Sequence, residues 1–301
     1  MGTILVKNIN ANTKERNSSA KLFEGESGLV VTGVMGLILS IGIAVYLFVQ
    51  GPIVSPEGNM RDAFSFNAAI GMFILSIAAI LPLARFEESK RRVVRWLFIF
   101  ATLYSYAIET IQNLRGISPR FSREGDVVDM VFGIIFGIVS LILVLLMVLL
   151  AIQFFRKYYP YERVILLLGI RYAFLSIIVA NTAGIWMIFL QDRFIGESGN
   201  LIVLHGIGFH ALQTLILLAW LLEKAQVKDK VAKVLVHSGS VAWMVMISLI
   251  GIHTGLGNSV FELTPLPILA VLLLLFWFTT VTIAFVLYIK QRQVHFVSLV
   301  R

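Results

Sequence analysis

The sequence lacks cysteine and is poor in charge and proline: among 301 residues there are Cys 0, Pro 7 and only 14% charged side chains. Without cysteine there is no disulfide framework, no thiolate zinc site, no iron–sulfur cluster and no c-type haem attachment. Soluble domains carry about 25% charged residues. A chain at 14% cannot cover a soluble surface. This excludes a soluble enzyme, a nucleic-acid-binding domain and a disordered tail. The net charge of +8 therefore needs a membrane explanation.

What is present is apolar. The hydrophobic fraction is 58%, against about 45–50% in soluble domains. Eight spans of about 22 residues would fill about 176 positions, the same share of the chain. Apolar runs of that length fall at about 29–50, 63–85, 93–113, 127–155, 164–190, 200–222, 236–255 and 267–289. The first is too long and too far from the start for a signal peptide and is expected to stay in the mature protein. The run at 127–155 exceeds a bilayer's need and is expected to tilt or protrude.

With the N-terminus in the cytoplasm, nineteen Lys and Arg fall inside. Five fall outside, namely Arg61, Arg115, Arg120, Arg123 and Arg193, and Arg171 lies within a span. Such a bias sets orientation by the positive-inside rule. The expected fold is an all-α polytopic integral membrane protein of eight transmembrane helices with both termini cytoplasmic. The expected segments are a cytoplasmic stretch 1–28, four-helix halves 29–155 and 156–289, and a cytoplasmic tail 290–301. The expected location is the cell membrane, of the bacterial cytoplasmic type. Its first partner is the lipid bilayer.

A weak internal repeat is visible. Glu57 and Asn59 precede the second span, and Glu197 and Asn200 precede the sixth. Asn67–Gly71 resembles His205–Phe209, and Ile108-Glu109-Thr110 resembles Ile252-His253-Thr254, each of the last two followed by a proline, Pro119 or Pro265. The offsets are 140, 138 and 144 residues. A tandem duplication accounts for this, as does chance likeness between apolar helices. Parallel halves of four spans fit poorly with inverted-repeat transporters. Gly33 and Gly36, Gly133 and Gly137, and Gly206 and Gly208 mark expected close helix contacts.

Polar side chains inside a bilayer are costly, so each one is informative. Thr102, Ser105, Tyr106, Glu109, Gln112 and Asn113 recur at helical spacing and share one face of the third span. Glu109 near the outer boundary can bind a cation, carry a proton, pair with Arg115 or hydrogen-bond to a histidine. The sixth span carries His205 and His210, whose i,i+5 spacing sets them about 140° apart around the helix. One metal on one face is therefore hard for both to reach, and Gln213 falls between them in angle. His253 ends the seventh span at a similar depth. His237 reads as interfacial and His295 as exposed in the tail. Asp129, Asn67 and Asn181 support the same level, and Arg171 reads as a snorkelling structural residue. The basic outer loop Arg115–Arg123 either attracts an anion or neutralises Glu109, Glu124, Asp126 and Asp129.

The segments Glu109-Thr110-x-Gln112-x-x-Arg115-Gly116 and His205-x4-His210-Ala211-Leu212-Gln213 resemble an uncharacterised family of bacterial eight-span membrane proteins. That resemblance implies topology and site placement. In size and two-half architecture the chain is also loosely similar to haem A synthase. The second span has Asn67 where that family has histidine, and the fourth and eighth spans have none, so its activity is not implied.

Three functions stay open. Glu109, His205, His210 and His253 can bind a haem or a divalent transition metal, with a redox role. They can instead form a protonable site of a small-solute or ion transporter or channel that takes its ligand from the outer side. The third reading is a non-catalytic sensor or accessory subunit. It would work through a partner membrane subunit or a second copy.

Overall fold

The computed structural model describes residues 21–120, 122–156 and 163–300, with side chains to residue 293. Among them are eight long helices: α1 (Ser27–Gln50), α2 (Met60–Ile80), α3 (Glu88–Leu114), α4 (Val127–Phe155), α5 (Val164–Leu190), α6 (Leu201–Lys224), α7 (Asp229–Gly255) and α8 (Pro265–Val300). Two short antiparallel hairpins interrupt them: β1 (Ile53–Val54) with β2 (Gly58–Asn59), and β3 (Phe194–Ile195) with β4 (Gly199–Asn200). The His295 side chain and the first twenty residues of the N-terminal segment lie outside what is described.

Seven of these helices are long and apolar enough to cross a membrane, giving an all-α multi-pass membrane architecture. α3 is the exception by composition. Its first turns carry Glu88, Lys90, Arg91, Arg92 and Arg95, and its last turns carry the polar stripe. It nonetheless packs against α1, α2 and α4. α7 and α8 run further than their apolar runs, because backbone hydrogen bonding continues into polar turns that hydropathy does not register.

The two hairpins show one construction used twice. α1 packs along α2, and α5 along α6. Each hairpin leads into a helix whose cap is an asparagine: Asn59 Oδ1 accepts from the Arg61 amide at 3.0 Å, and Asn200 Oδ1 from the Ile202 amide at 3.1 Å. Each hairpin is also tied to the end of the helix that follows in its half. The Glu57 amide donates to the Gly116 carbonyl at 2.8 Å, and the Ser198 amide to the Gly257 carbonyl at 2.9 Å. Gly116 and Gly257 both hold positive φ, +79° and +86°. A Cβ on Gly116 would strike the Ser55 carbonyl, and one on Gly257 would sit 2.8 Å from Gly196 Cα. From each hairpin to the end of the second helix after it, matching positions stand 141 residues apart, as in Gly58 and Gly199 or Gly116 and Gly257. In this register Glu109 matches Ile250 and Asn67 matches Gly208, not the histidines paired with them by sequence likeness.

The interior divides along its length. The packed apolar core includes Ile77, Leu81, Phe98, Leu150, Phe154, Leu166, Phe174 and Leu218. Around α1 to α4 it lies away from the first hairpin, whereas in the second half it reaches Leu201 and Leu204 beside β4, and a smaller cluster of Ile43, Met60 and Ala63 adjoins the first hairpin. Buried polar residues gather toward the hairpin end: Asn67, Ser105, Glu109, Gln112, Asn113, Asp129, Asn181, His253 and Thr254. At the far end Glu26 is fully buried and receives Arg91 Nε and Arg95 Nε at 2.6 Å each, which fastens α1 to α3. The outer faces of α4 and α8 are exposed and apolar, with Ile134, Ile138 and Leu145 on α4 and Leu272, Leu275 and Phe278 on α8. Such faces suit hydrocarbon rather than water.

Small residues serve the closest contacts, though not all of those expected. A Cβ on Gly33 would meet the Gly71 carbonyl at 2.9 Å, and one on Gly208 would meet Ala180 Cβ at 2.7 Å. Gly137 and Gly206 face open space. The expected GxxxG contact in α4 is therefore absent, and only Gly133 has a neighbour, the loop carbonyls of Pro119 and Arg120 at 3.8 and 3.6 Å.

Candidate functional site

α3 builds the site. Its six striped residues, Thr102, Ser105, Tyr106, Glu109, Gln112 and Asn113, are all buried. Helical spacing places them on one broad face, and that face turns inward. Glu109 has no exposure at all. A lone carboxylate there would be costly, so its partners decide what the site is.

Its charge partner is Arg120, whose Nη2 lies 2.6 Å from Oε2. Asn113 Nδ2 donates to the Glu109 carbonyl at 2.7 Å and approaches Oε1 at 3.4 Å. Asn113 is oriented from the other side, because its Oδ1 accepts from the Asn59 amide at 2.9 Å. Thus the hairpin sets the asparagine and the asparagine steadies the glutamate. Gly58 permits this approach, since a Cβ there would collide with the Asn113 carbonyl.

Arg120 does not belong to a helix. It comes from the loop between α3 and α4, which turns back into the bundle over Gly133. Its Cζ stands 5.2 Å from the Phe66 ring centroid and 5.6 Å from that of Phe136. Those rings touch each other at 5.9 Å, tilted by 48°. The guanidinium therefore lies in an aromatic corner with a carboxylate in front of it, a cation–π arrangement strengthened by desolvation.

Two further sets of contacts hold the loop. Arg115 Nη1 reaches Asp129 Oδ1 at 2.5 Å and Gln112 Oε1 at 2.7 Å. Gln112 Nε2 also donates to Asp129 Oδ1 at 2.9 Å. Asp129 doubles as the N3 member of a capping box with Asp126 at the start of α4. On the hairpin, Glu57 accepts from Ser122 Oγ at 2.5 Å and from the Arg123 and Ser118 amides at 2.8 and 3.4 Å. Desolvation raises the Glu57 carboxyl, but the hydrogen bonds from Ser122 and the loop amides outweigh it and hold it below its ordinary value. Arg115, expected as a partner of Glu109, thus serves Asp129.

The remaining candidates are separately engaged. His205 Nδ1 is bonded to the Ala180 carbonyl at 2.8 Å, and its ring stacks edge-on with Phe209 at 4.9 Å. Gly184 makes room for it. His210 Nδ1 lies 3.4 Å from Gln213 Oε1, while Gln213 Nε2 donates across to Ser76 Oγ on α2 at 2.7 Å. His253 Nε2 is bonded to the Ser259 carbonyl at 3.0 Å and lies 3.8 Å from Glu262 Oε2. His237 pairs with the Tyr172 hydroxyl at 2.8 Å. Arg171 Nε donates to the Phe154 carbonyl at 2.9 Å. Asn67 Nδ2 bonds Ala63 and Thr110. Asn67 Oδ1, Tyr106 Oη, Thr102 Oγ1 and Asn181 Oδ1 are buried without a hydrogen-bond partner among the described residues.

Among the described residues no group of three or more His, Asp or Glu is placed to hold a metal ion. Glu109 and His205 still share a neighbourhood. Glu109 lies within electrostatic range of Asp62, and His205 within range of Arg120. Asp62 is itself paired with Arg193 Nη1 at 2.9 Å. Three arginines at the hairpin end thus each meet one helix carboxylate. Phe66, Phe136, Glu57 and Gly133 were not legible as site residues in the sequence, whereas Arg120 was legible only as one of the loop arginines expected to neutralise Glu109 and Asp129, which take Arg120 and Arg115 respectively. Only the glycine and proline of the loop, Gly116 and Pro119, hinted that it could turn sharply.

No family model matches this chain, and no curated protein or solved structure matches it.

Proposed function

We propose that this is an eight-span protein of the cell membrane, with both termini cytoplasmic, that carries a small solute or ion taken up from its outer side, coupled to protonation of Glu109. α3 is the eighth span in this reading, buried among its neighbours and so tolerant of its polar stripe. The hairpin end is the outer face, following the positive-inside bias. The observation that carries the proposal is a fully buried carboxylate whose charge partner is borne on a loop rather than on a neighbouring helix. A structural ion pair has no need of a removable partner. A binding group that must be exposed and re-covered does. The apolar packing beneath it, with Ile74, Ile77 and Phe98, is the closed inner side in this reading, which a carrier needs while the outer side is accessible. The histidines take part as neighbours of the site, His205 most directly.

Proteoliposomes with a trapped pH-sensitive dye test this. Under an imposed pH gradient and potential, the protein should carry protons above the rate of protein-free liposomes, and Glu109→Gln should abolish that excess. Flux equal to that of empty liposomes, or unaltered in Glu109→Gln, would remove the carrier reading.

A further inference from the structure

We infer that Arg120 is the tethered occupant of an organic-cation site, so that the external ligand is a small cation bearing a guanidinium or ammonium group. The inference names the ligand class of the site proposed above and rests on that reading for its physiological use. The geometry is that of a cation receptor. One buried carboxylate, Glu109, provides the counter-charge at 2.6 Å. Two contacting phenyl rings provide polarisable walls at 5.2 and 5.6 Å from the cationic carbon. An amide nitrogen from Asn113 orients the carboxylate. Aromatic walls with one carboxylate select diffuse organic charge. A hard metal ion would ask instead for several oxygen ligands, which this site does not gather.

The occupant is held in a way that permits exchange. Arg120 retains 23% side-chain exposure while Glu109 has none, so the loop side of the site faces solvent and the receptor side does not. The loop passes over Gly133 at van der Waals distance and is fastened at its flanks, by Arg115 with Asp129 and by Glu57 with Ser118, Ser122 and Arg123. Loosening the loop would therefore withdraw the guanidinium and leave its cage intact. A free cation then competes with an intramolecular one, whose effective concentration is in the millimolar range for a short tether. Among the described residues of the second half, Ile250 stands where Glu109 stands in the first, so no carboxylate occupies the matching position.

Chemical rescue tests this on the purified full chain. Arg120→Ala should lower the thermal midpoint, and millimolar guanidinium chloride should restore at least half of the loss, whereas equal sodium chloride should not. Rescue should vanish in Glu109→Gln/Arg120→Ala. Rescue by guanidinium no greater than by sodium chloride overturns the inference. Should Arg120→Ala fail to fold, the wild-type chain provides the second readout. Guanidinium in the tens of millimolar should speed proteolytic cutting of the loop at 117–125 over a sodium chloride control. Equal cutting rates overturn the inference as well. Neither readout requires transport, so a silent flux assay with successful rescue would reject the carrier and keep the cation site.

Discussion

Removing Arg120 while keeping Glu109 is the most informative perturbation of stability. In Arg120→Met the stem of the side chain is kept against Phe66 and Phe136, but Glu109 remains at no exposure with only Asn113 to answer its charge. Stranding one member of a buried pair costs about 3–5 kcal/mol. At roughly 2–4 °C per kcal/mol for a chain of this class, the midpoint should fall by about 6–20 °C. The reverse change, Glu109→Gln, should cost less, because Arg120 keeps its ring contacts and its path to solvent. Combining the two should return most of the stability, since an apolar replacement of a buried pair is often neutral. A coupling of about 2 kcal/mol or more between the sites is expected for directly bonded neighbours. The assay is thermal unfolding of the four proteins in one detergent, followed by tryptophan fluorescence. A midpoint for Arg120→Met within about 2 °C of wild type, or simple additivity in the double variant, would refute the view that the ion pair is buried and mutual.

Other outcomes follow from single contacts. Glu57 is held below its ordinary value of 4.5, so its contribution is present above that value and is lost as pH falls through the lower folded value. Protease cutting of the 117–125 loop should therefore rise on acidification below about 4.5, and Glu57→Gln should be cut readily at neutral pH with a much flatter pH response. Gly184→Ala places a Cβ 2.9 Å from the His205 ring and should lower stability by about 1–3 kcal/mol, read as a shifted midpoint. Gly137→Ala and Gly206→Ala meet nothing and should be neutral or slightly stabilising by the same assay. Tyr106→Phe deletes an unpartnered buried hydroxyl and should leave the midpoint unchanged or raised, whereas a clear fall would show that the hydroxyl has a partner.

Much of the architecture was legible because bilayer crossing and helix periodicity leave strong marks. The polar stripe of α3 shows the point. Its 3.6-residue recurrence identified six residues that are all buried on one side. The i,i+5 spacing of His205 and His210 likewise separates them, one against α5 and the other beside Gln213. What the sequence concealed was the path of the backbone between helices. Arg115 was the nearer arginine to Glu109 in sequence. Six residues of helix carry it about 9 Å along the axis and to a different face. Arg120 reaches Glu109 because the loop folds back, and a fold-back depends on Glu57, Gly133 and two hairpins. Each two-residue strand is too short to leave a periodic signal. The repeat was visible in outline but misregistered, since likeness of side chains aligned Glu109 with His253. The shared hairpin geometry aligns it with Ile250.

The central claim is that the Arg120 loop must leave Glu109 for the protein to work. The absence of cysteine makes a direct test clean. Glu57 and Ser122 meet at 2.5 Å between hairpin and loop, so Glu57→Cys/Ser122→Cys can be joined by a short thiol cross-linker that pins the loop shut. Proton flux in proteoliposomes should then stop on cross-linking and return when a cleavable linker is reduced, while each single variant stays active under the same treatment. Flux that continues at full rate with the loop pinned would contradict the account.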